Sequence, residues 1–295
     1  MMLMIQNDTL SLTVSTLGAQ MMSLRSAEGV EYLWQGNPAY WEDRAPTLFP
    51  FIGRLTNNTY RYRGKVYPME IHGFAAKSEF SPVEQGLDYL ILELRSTIVT
   101  LARYPFDFTF RIKYALNWNK LEITYQVQNQ SDRYMPFGIG GHPGFNVPLL
   151  PGEDFTDYEL EFTTPCQPDR VGFTPKVYLS GHDEPYPLEN DRKIALRHDL
   201  FDEDAIILKN MGREITLRSR KSLHGVCVSY PDMPYLGIWH WPKTDAPYVC
   251  IEPWSSLPSR QDVVEDFACK SDLVHLLPGK TYENTWIITV GRNEP

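Results

Sequence analysis

His142 sits among glycines in Gly138-Ile139-Gly140-Gly141-His142-Pro143-Gly144. Backbone free of side chains can turn sharply or approach a ligand closely, so the imidazole is either presented to a substrate or satisfies a loop hydrogen bond. Histidine's ordinary pKa of ~6.5 suits proton donation near neutral pH, which makes His142 the first candidate for a general acid. Glu252 is the matching candidate for a base: the apolar run Tyr248-Val249-Cys250-Ile251 leads directly into it, and Pro253-Trp254 follow. At the end of a buried run, desolvation lifts a carboxyl towards the useful range for a base, and a neighbouring indole offers a flat wall for a sugar ring. The competing reading is a strand-end glutamate facing water.

Three further residues could serve such a pair. Arg54 follows the apolar stretch Pro50-Phe51-Ile52-Gly53, where a guanidinium either donates fixed hydrogen bonds to a ligand or closes a buried salt bridge. His72, in Ile71-His72-Gly73-Phe74, is a ligand-binding group or a satisfied core histidine. Asp204 ends the acidic cluster Asp202-Glu203-Asp204 before the apolar Ala205-Ile206-Ile207-Leu208, a position that otherwise reads as a solvated turn. The remaining histidines show no H-x-H or H-E-x-x-H spacing and the cysteines no C-x-x-C, so no metal site is expected. No dinucleotide fingerprint, Walker loop or G-x-S-x-G elbow is present, and no cofactor is called for.

The elements that must hold these residues are strands. Period-two alternation runs through Leu10 to Val14, Leu121 to Asn129, Tyr158 to Phe162, Glu214 to Arg218 and Val226 to Tyr230. Further strands are expected at Tyr89 to Leu94, Phe108 to Leu116, Tyr248 to Glu252 and Thr285 to Val290, each next to Gly, Pro, Asn or Asp. The 23 prolines leave few windows for a helix, and Val263 to Cys269 is the one weak candidate. An all-β fold follows, with no linker or composition break to divide it, so residues 1–295 are expected to form a single domain.

Composition bounds the partners. The 17 Tyr, 14 Phe and 7 Trp suit both strands and sugar-stacking faces. A net charge of −9 with no basic run argues against nucleic acid and anionic membranes. Four well-separated cysteines, Cys166, Cys227, Cys250 and Cys269, read as buried free thiols in a reducing compartment. The N-terminal stretch lacks a basic flank and is too short for a signal peptide or a membrane span, so a soluble cytoplasmic protein is expected.

Taken in order, seven segments resemble the aldose 1-epimerase (galactose mutarotase) family, in the branch of LacX-type proteins. They are Leu48-Phe49-Pro50-Phe51-Ile52-Gly53-Arg54-Leu55, His72-Gly73-Phe74-Ala75, Tyr104-Pro105-Phe106-Asp107-Phe108, Gly140-Gly141-His142-Pro143-Gly144-Phe145-Asn146, Asp204-Ala205, Tyr235-Leu236-Gly237-Ile238-Trp239 and Cys250-Ile251-Glu252-Pro253-Trp254. The resemblance implies a large antiparallel β-sandwich of the galactose mutarotase-like supersandwich type, with a sugar cleft on one face. It also implies His142 as general acid, Glu252 as general base, and Arg54, His72 and Asp204 as substrate-binding groups. The implied reaction is anomer interconversion of a small-molecule sugar: Glu252 removes the C1 hydroxyl proton, His142 protonates the ring oxygen, and the roles reverse after rotation about C1–C2.

Two other functions fit the same resemblance. A sugar-binding or sensing protein without turnover has no reason to keep both acid and base, and an epimerase of a phosphorylated hexose needs positive charge that a net −9 does not favour. Where the family branch continues after Ile-Glu-Pro-Trp with an aromatic, a glycine and an acid, this chain has Ser255-Ser256-Leu257, a departure that bears on substrate preference. No oligomeric state follows from the sequence.

Overall fold

In the computed structural model, which describes residues 1–292, nearly all regular structure is antiparallel strand. The largest sheet has nine strands in the spatial order Lys193–Ala195, Tyr158–Phe162, Glu214–Ser219, His224–Ser229, Thr281–Arg292, Lys120–Asn129, Phe108–Asn117, Tyr89–Arg95 and Ser81–Gln85. Its longest pairing joins Lys120–Asn129 to Phe108–Asn117, and on its other side the same strand pairs with Thr281–Arg292, with Tyr125 opposite Asn284. A second, eight-stranded sheet runs Glu184–Pro185, Asp169–Arg170, Ile206–Lys209, Tyr235–Trp239, Tyr248–Trp254, Gly140–Gly141 and Thr47–Leu48, and Gly144–Asn146 also pairs with Tyr248–Trp254. A three-stranded sheet of Met2–Gln6, Leu10–Ser15 and Met21–Ser26 accompanies them.

The alternation that marks these strands assigns their faces. Along Lys120–Asn129, Leu121, Ile123, Tyr125 and Val127 are buried and the residues between them are half-buried. These side chains share one continuous core with Val249 and Ile251 from the eight-stranded sheet, so the two large sheets form a sandwich. Full burial of each such aliphatic side chain contributes about 1.5–3 kcal/mol. Between the sheets the Tyr125 hydroxyl donates to the Gly140 carbonyl at 3.3 Å.

The strand Tyr248–Trp254 differs from the others because both faces are buried. Val249 and Ile251 enter the main core, while Tyr248 and Cys250 join an apolar cluster with Trp34 and Ala246. Trp254 joins a second cluster with Leu48, Ile52, Val171 and Ile207. Glu252 occupies the gap between these two clusters, on the same face.

Two expectations are corrected. Val263 to Cys269 is not helical: Phe267 donates its N–H to the Arg61 carbonyl at 2.9 Å, Arg61 donates to the Glu265 carbonyl at 2.8 Å, and the Phe267 ring stacks on Tyr60. Pairing with residue 61 and a buried aromatic stack replace the intrahelical bonds. The α-helix among the described residues is instead Ile98–Arg103, started by a reciprocal cap between Thr97 and Thr100. The four cysteines are unpaired, but only Cys250 is buried; Cys166 and Cys227 are half-buried and Cys269 is exposed.

Candidate active site

Glu252 lies in mid-strand rather than at a strand end, 1% exposed, opposite Gly237 on one neighbouring strand. On its other side Gly140 pairs with Trp254 and Gly144 with Cys250. The same register carried through the intervening turn puts His142 across from Glu252. Their side chains meet, with His142 Nε2 3.3 Å from Glu252 Oε2. The contact is close without being a formed hydrogen bond, since Glu252 Oε2 and His142 Nδ1 are both buried without hydrogen-bond partners. Gly237 makes the room: a Cβ there would stand 3.2 Å from the Glu252 Cβ and 3.3 Å from the Trp254 ring.

This pair opens into a cleft of about 490 Å³. Trp41, Trp239, Trp241 and Trp254 contribute to its walls. The His142 ring lies 5.0 Å from Trp41, tilted by 32°, and 5.7 Å from Trp239, edge to face at 87°. Trp254 had been expected as a sugar-stacking wall; Trp41 and Trp239 had not been expected as site residues. Trp239 ends the strand Tyr235–Trp239, which is not legible in the sequence because Tyr-Leu-Gly-Ile-Trp carries no alternation of apolar and polar residues, and Trp41 lies in a loop distant from His142 in sequence.

The other expected residues all reach the same cleft. His72 is held by its backbone: its N–H donates to the Gly53 carbonyl at 3.1 Å, and its Nδ1 accepts the Gly53 N–H at 3.2 Å. That acceptor role leaves the ring proton on Nε2. His72 and Gly73 are both left-handed, with φ of 63° and 79°, and a Cβ on residue 73 would collide with the Phe49 carbonyl at 2.2 Å. Arg54 is exposed and forms no ion pair among the described residues, so the buried salt bridge weighed for it does not form. Asp204, at φ 83°, reaches the cleft while Asp202 and Glu203 are exposed, and its Oδ1 accepts the Ala205 N–H at 2.8 Å. A left-handed aspartate of this kind costs about 1–2 kcal/mol, a strain found where a side chain's direction matters.

The electrostatics follow from burial. Burial pushes the Glu252 carboxyl well above its usual range; the Trp254 indole opposes this and the Asp204 carboxylate adds to it. Burial drives His142 well below the usual imidazole value, and its neighbour His72 works in the same direction. His72 is lowered to about 4 by burial and then by Arg54. Neutral forms are thus favoured for acid and base alike, so a single proton shared between them rests as carboxylic acid and imidazole. Moving it across the 3.3 Å gap creates the carboxylate and imidazolium.

The departure at Ser255-Ser256 faces away from the cleft. Ser255 Oγ accepts the buried Ile139 N–H at 2.8 Å, and Ser255 N–H donates to the Ile139 carbonyl at 3.0 Å. Ser256 is fully buried with an unpartnered hydroxyl, beside Gly138. Neither serine is among the residues that line the cleft, and Ser255 fastens the end of the strand that carries Glu252. Although no metal motif was legible in the linear spacing, His142, Cys250 and Glu252 bring one donor atom each to within 4.8 Å of one another.

The sequence model of a family described as Aldose 1-epimerase matches residues 1–289. The plasmid-encoded protein LacX of Lactococcus lactis subsp. lactis is 34% identical, over 97% of this chain and 98% of its own. Among solved structures, a galactose mutarotase related enzyme from Lactobacillus acidophilus superposes with a TM-score of 0.94 at 37% identity, covering 99% of this chain and 97% of that one. A galactose mutarotase-like protein from Lactobacillus casei ATCC 334 gives a TM-score of 0.92 at 31% identity, covering 99% of this chain and all of that one, 100%.

Proposed function

Because the chain belongs to the aldose 1-epimerase family, we propose that it interconverts the α and β anomers of a free hexose, with His142 as general acid and Glu252 as general base. The observation that carries this reading is the 3.3 Å approach of His142 Nε2 to Glu252 Oε2 at a tryptophan-walled cleft. The ring oxygen and the C1 hydroxyl are bonded to the same carbon, so two groups this close can address both at once.

In the reactive form Glu252 is a carboxylate and His142 an imidazolium. Glu252 takes the C1 hydroxyl proton as His142 gives a proton to the ring oxygen, and the C1–O5 bond breaks to leave the open-chain aldehyde. After rotation about C1–C2, His142 recovers the O5 proton and Glu252 returns one to the carbonyl oxygen as the ring closes on the other face. Both groups end as they began. Arg54, the Nε2–H of His72 and the Asp204 carboxylate would hold the remaining hydroxyls, and the indoles would stack on the ring's C–H face.

The charges lining the cleft favour an uncharged sugar over a phosphorylated one. Of its two cationic side chains, Lys77 is paired with Glu70 at 2.6 Å, leaving Arg54 to face Asp43 and Asp204. The test is polarimetry on freshly dissolved galactose and glucose. Each positioned proton transfer is worth about 10²–10⁴ in rate, so His142→Asn and Glu252→Gln should each lose at least the lower figure while remaining folded. Near wild-type rates in either variant would overturn the assignment.

A further inference from the structure

Cys250 has no part in the proposed reaction, yet its placement beside the acid and base is specific. It stands two residues before Glu252 on the same strand, and the period of two puts both on one face. Its sulfur, a His142 ring nitrogen and a Glu252 carboxylate oxygen all lie within 4.8 Å of one another. A second, independent observation points into the same spot: Glu252 Oε2 is buried in a residue 1% exposed and has no hydrogen-bond partner.

A thiolate, an imidazole nitrogen and a carboxylate oxygen are the donor types that bind Zn²⁺. Thiolate and carboxylate together carry the charge that offsets a divalent cation. Around a tetrahedral ion, bonds of about 2.3 Å to sulfur and about 2.0 Å to nitrogen or oxygen place the donor atoms about 3.3–3.5 Å from one another. His142 Nε2 and Glu252 Oε2 already stand 3.3 Å apart and no donor pair is wider than 4.8 Å, so binding has to draw the Cys250 sulfur in by at most about 1.3 Å. The fourth coordination position would face the cleft, where water or a sugar hydroxyl can occupy it.

We propose that His142, Cys250 and Glu252 form an inhibitory site for Zn²⁺ or a similarly thiophilic divalent cation. Binding releases the thiol proton to solvent and uses the lone pairs of acid and base as metal ligands, so neither can exchange protons with a sugar. Binding itself is independent of the catalytic reading, whereas inhibition rests on it.

The experiment uses the full chain carrying Cys269→Ser, which removes the exposed thiol. Co²⁺ is added as a spectroscopic stand-in, and the thiolate-to-metal charge-transfer band is followed together with equilibrium dialysis of Zn²⁺. One metal per chain and a band lost in Cys250→Ala are expected. Zn²⁺ should also slow anomer exchange in the parent, with Cys250→Ala keeping basal turnover and its sensitivity to Zn²⁺ falling by roughly tenfold or more. Should Cys250→Ala fail to fold, Cys250→Ser, which keeps the size of the side chain and supplies no thiolate, replaces it, read by the Co²⁺ band alone. A band unchanged in the folded variant, or no bound metal in the parent, would overturn the site. A band that behaves as expected without any inhibition would keep the site and instead count against the acid–base assignment.

Discussion

At Glu252 and His142, burial disfavours the charged form of each side chain, raising the carboxyl and lowering the imidazole. The active arrangement holds one proton on the pair. It is lost at the acid end when a second proton binds, a step the depressed imidazole delays to below pH 6.5, and at the alkaline end when the only proton leaves, a step the raised carboxyl delays to well above 4.5. The expected profile of kcat/KM for anomer exchange is therefore a bell whose acid limb lies below the ordinary imidazole range and whose alkaline limb is displaced upward from the ordinary carboxyl range. A rate that halves at the ordinary imidazole value of ~6.5 would show that His142 titrates as though exposed. Arg54→Ala and Asp204→Ala belong to a different class, since these groups hold hydroxyls in ground and transition state alike. Both variants should raise KM with kcat little changed in saturation kinetics. Residue identity alone had left His142 and Glu252 open between chemistry and bland packing; the family pattern across seven segments singled them out, and the fold then brought their reactive atoms together.

Among the elements, the strand Tyr248–Trp254 has most of the responsibility, since it carries Glu252 between two apolar clusters and is fastened at its end by Ser255. Ser255→Ala would strip a partner from the buried Ile139 N–H, at a cost of about 1–3 kcal/mol in a urea titration. Ser256→Ala removes a hydroxyl that is buried and unpartnered, so stability should hold or rise. Equal losses in both would show that the two serines are interchangeable packing. Gly237→Ala presses on the Glu252 Cβ from 3.2 Å and is expected to lower kcat in polarimetry while leaving the fold intact.

The long strands were legible because one face packs and the other does not, as in Leu121, Ile123, Tyr125 and Val127. Thr47–Leu48 and Gly140–Gly141 were not, since two residues carry no period and are strands only through their partners. Val263 and Phe267 mimic helical spacing, but their segment is claimed by residue 61 and by the Tyr60 ring. Cys250 could be placed on the Glu252 face by period two, but its closeness to His142 required the cross-strand register.

For the molecule as a whole, several imidazoles are stored neutral. His72 and His240 are lowered to about 4 by burial, with the Trp241 carbonyl opposing the shift at His240, and His142 is lowered as well. Unfolded, each takes up a proton near pH 6.5; folded, His72 and His240 do so only near 4. Between those values the unfolded state binds more protons, so stability is lost as pH falls through the window. Glu252 and Glu31, both shifted upwards by burial, act in the opposite sense, but they are two groups against four lowered imidazoles once His198 is included. For fully buried His240 the loss amounts to about 3 kcal/mol. Urea midpoints should fall between pH 6.5 and about 4, and His240→Phe should flatten that slope. An unchanged slope in the variant would contradict the assignment.

The position of Thr281–Arg292 within the nine-stranded sheet has a consequence for how the chain comes to fold. This strand follows the other eight in sequence, yet it lies between His224–Ser229 and Lys120–Asn129 and joins the two halves of the sheet. Until it leaves the ribosome, each half presents an open hydrogen-bonding edge, of the kind that recruits other chains. The sheet is therefore closed from its middle by the last of its own strands to be made, and those two inner edges stay unpaired until it arrives.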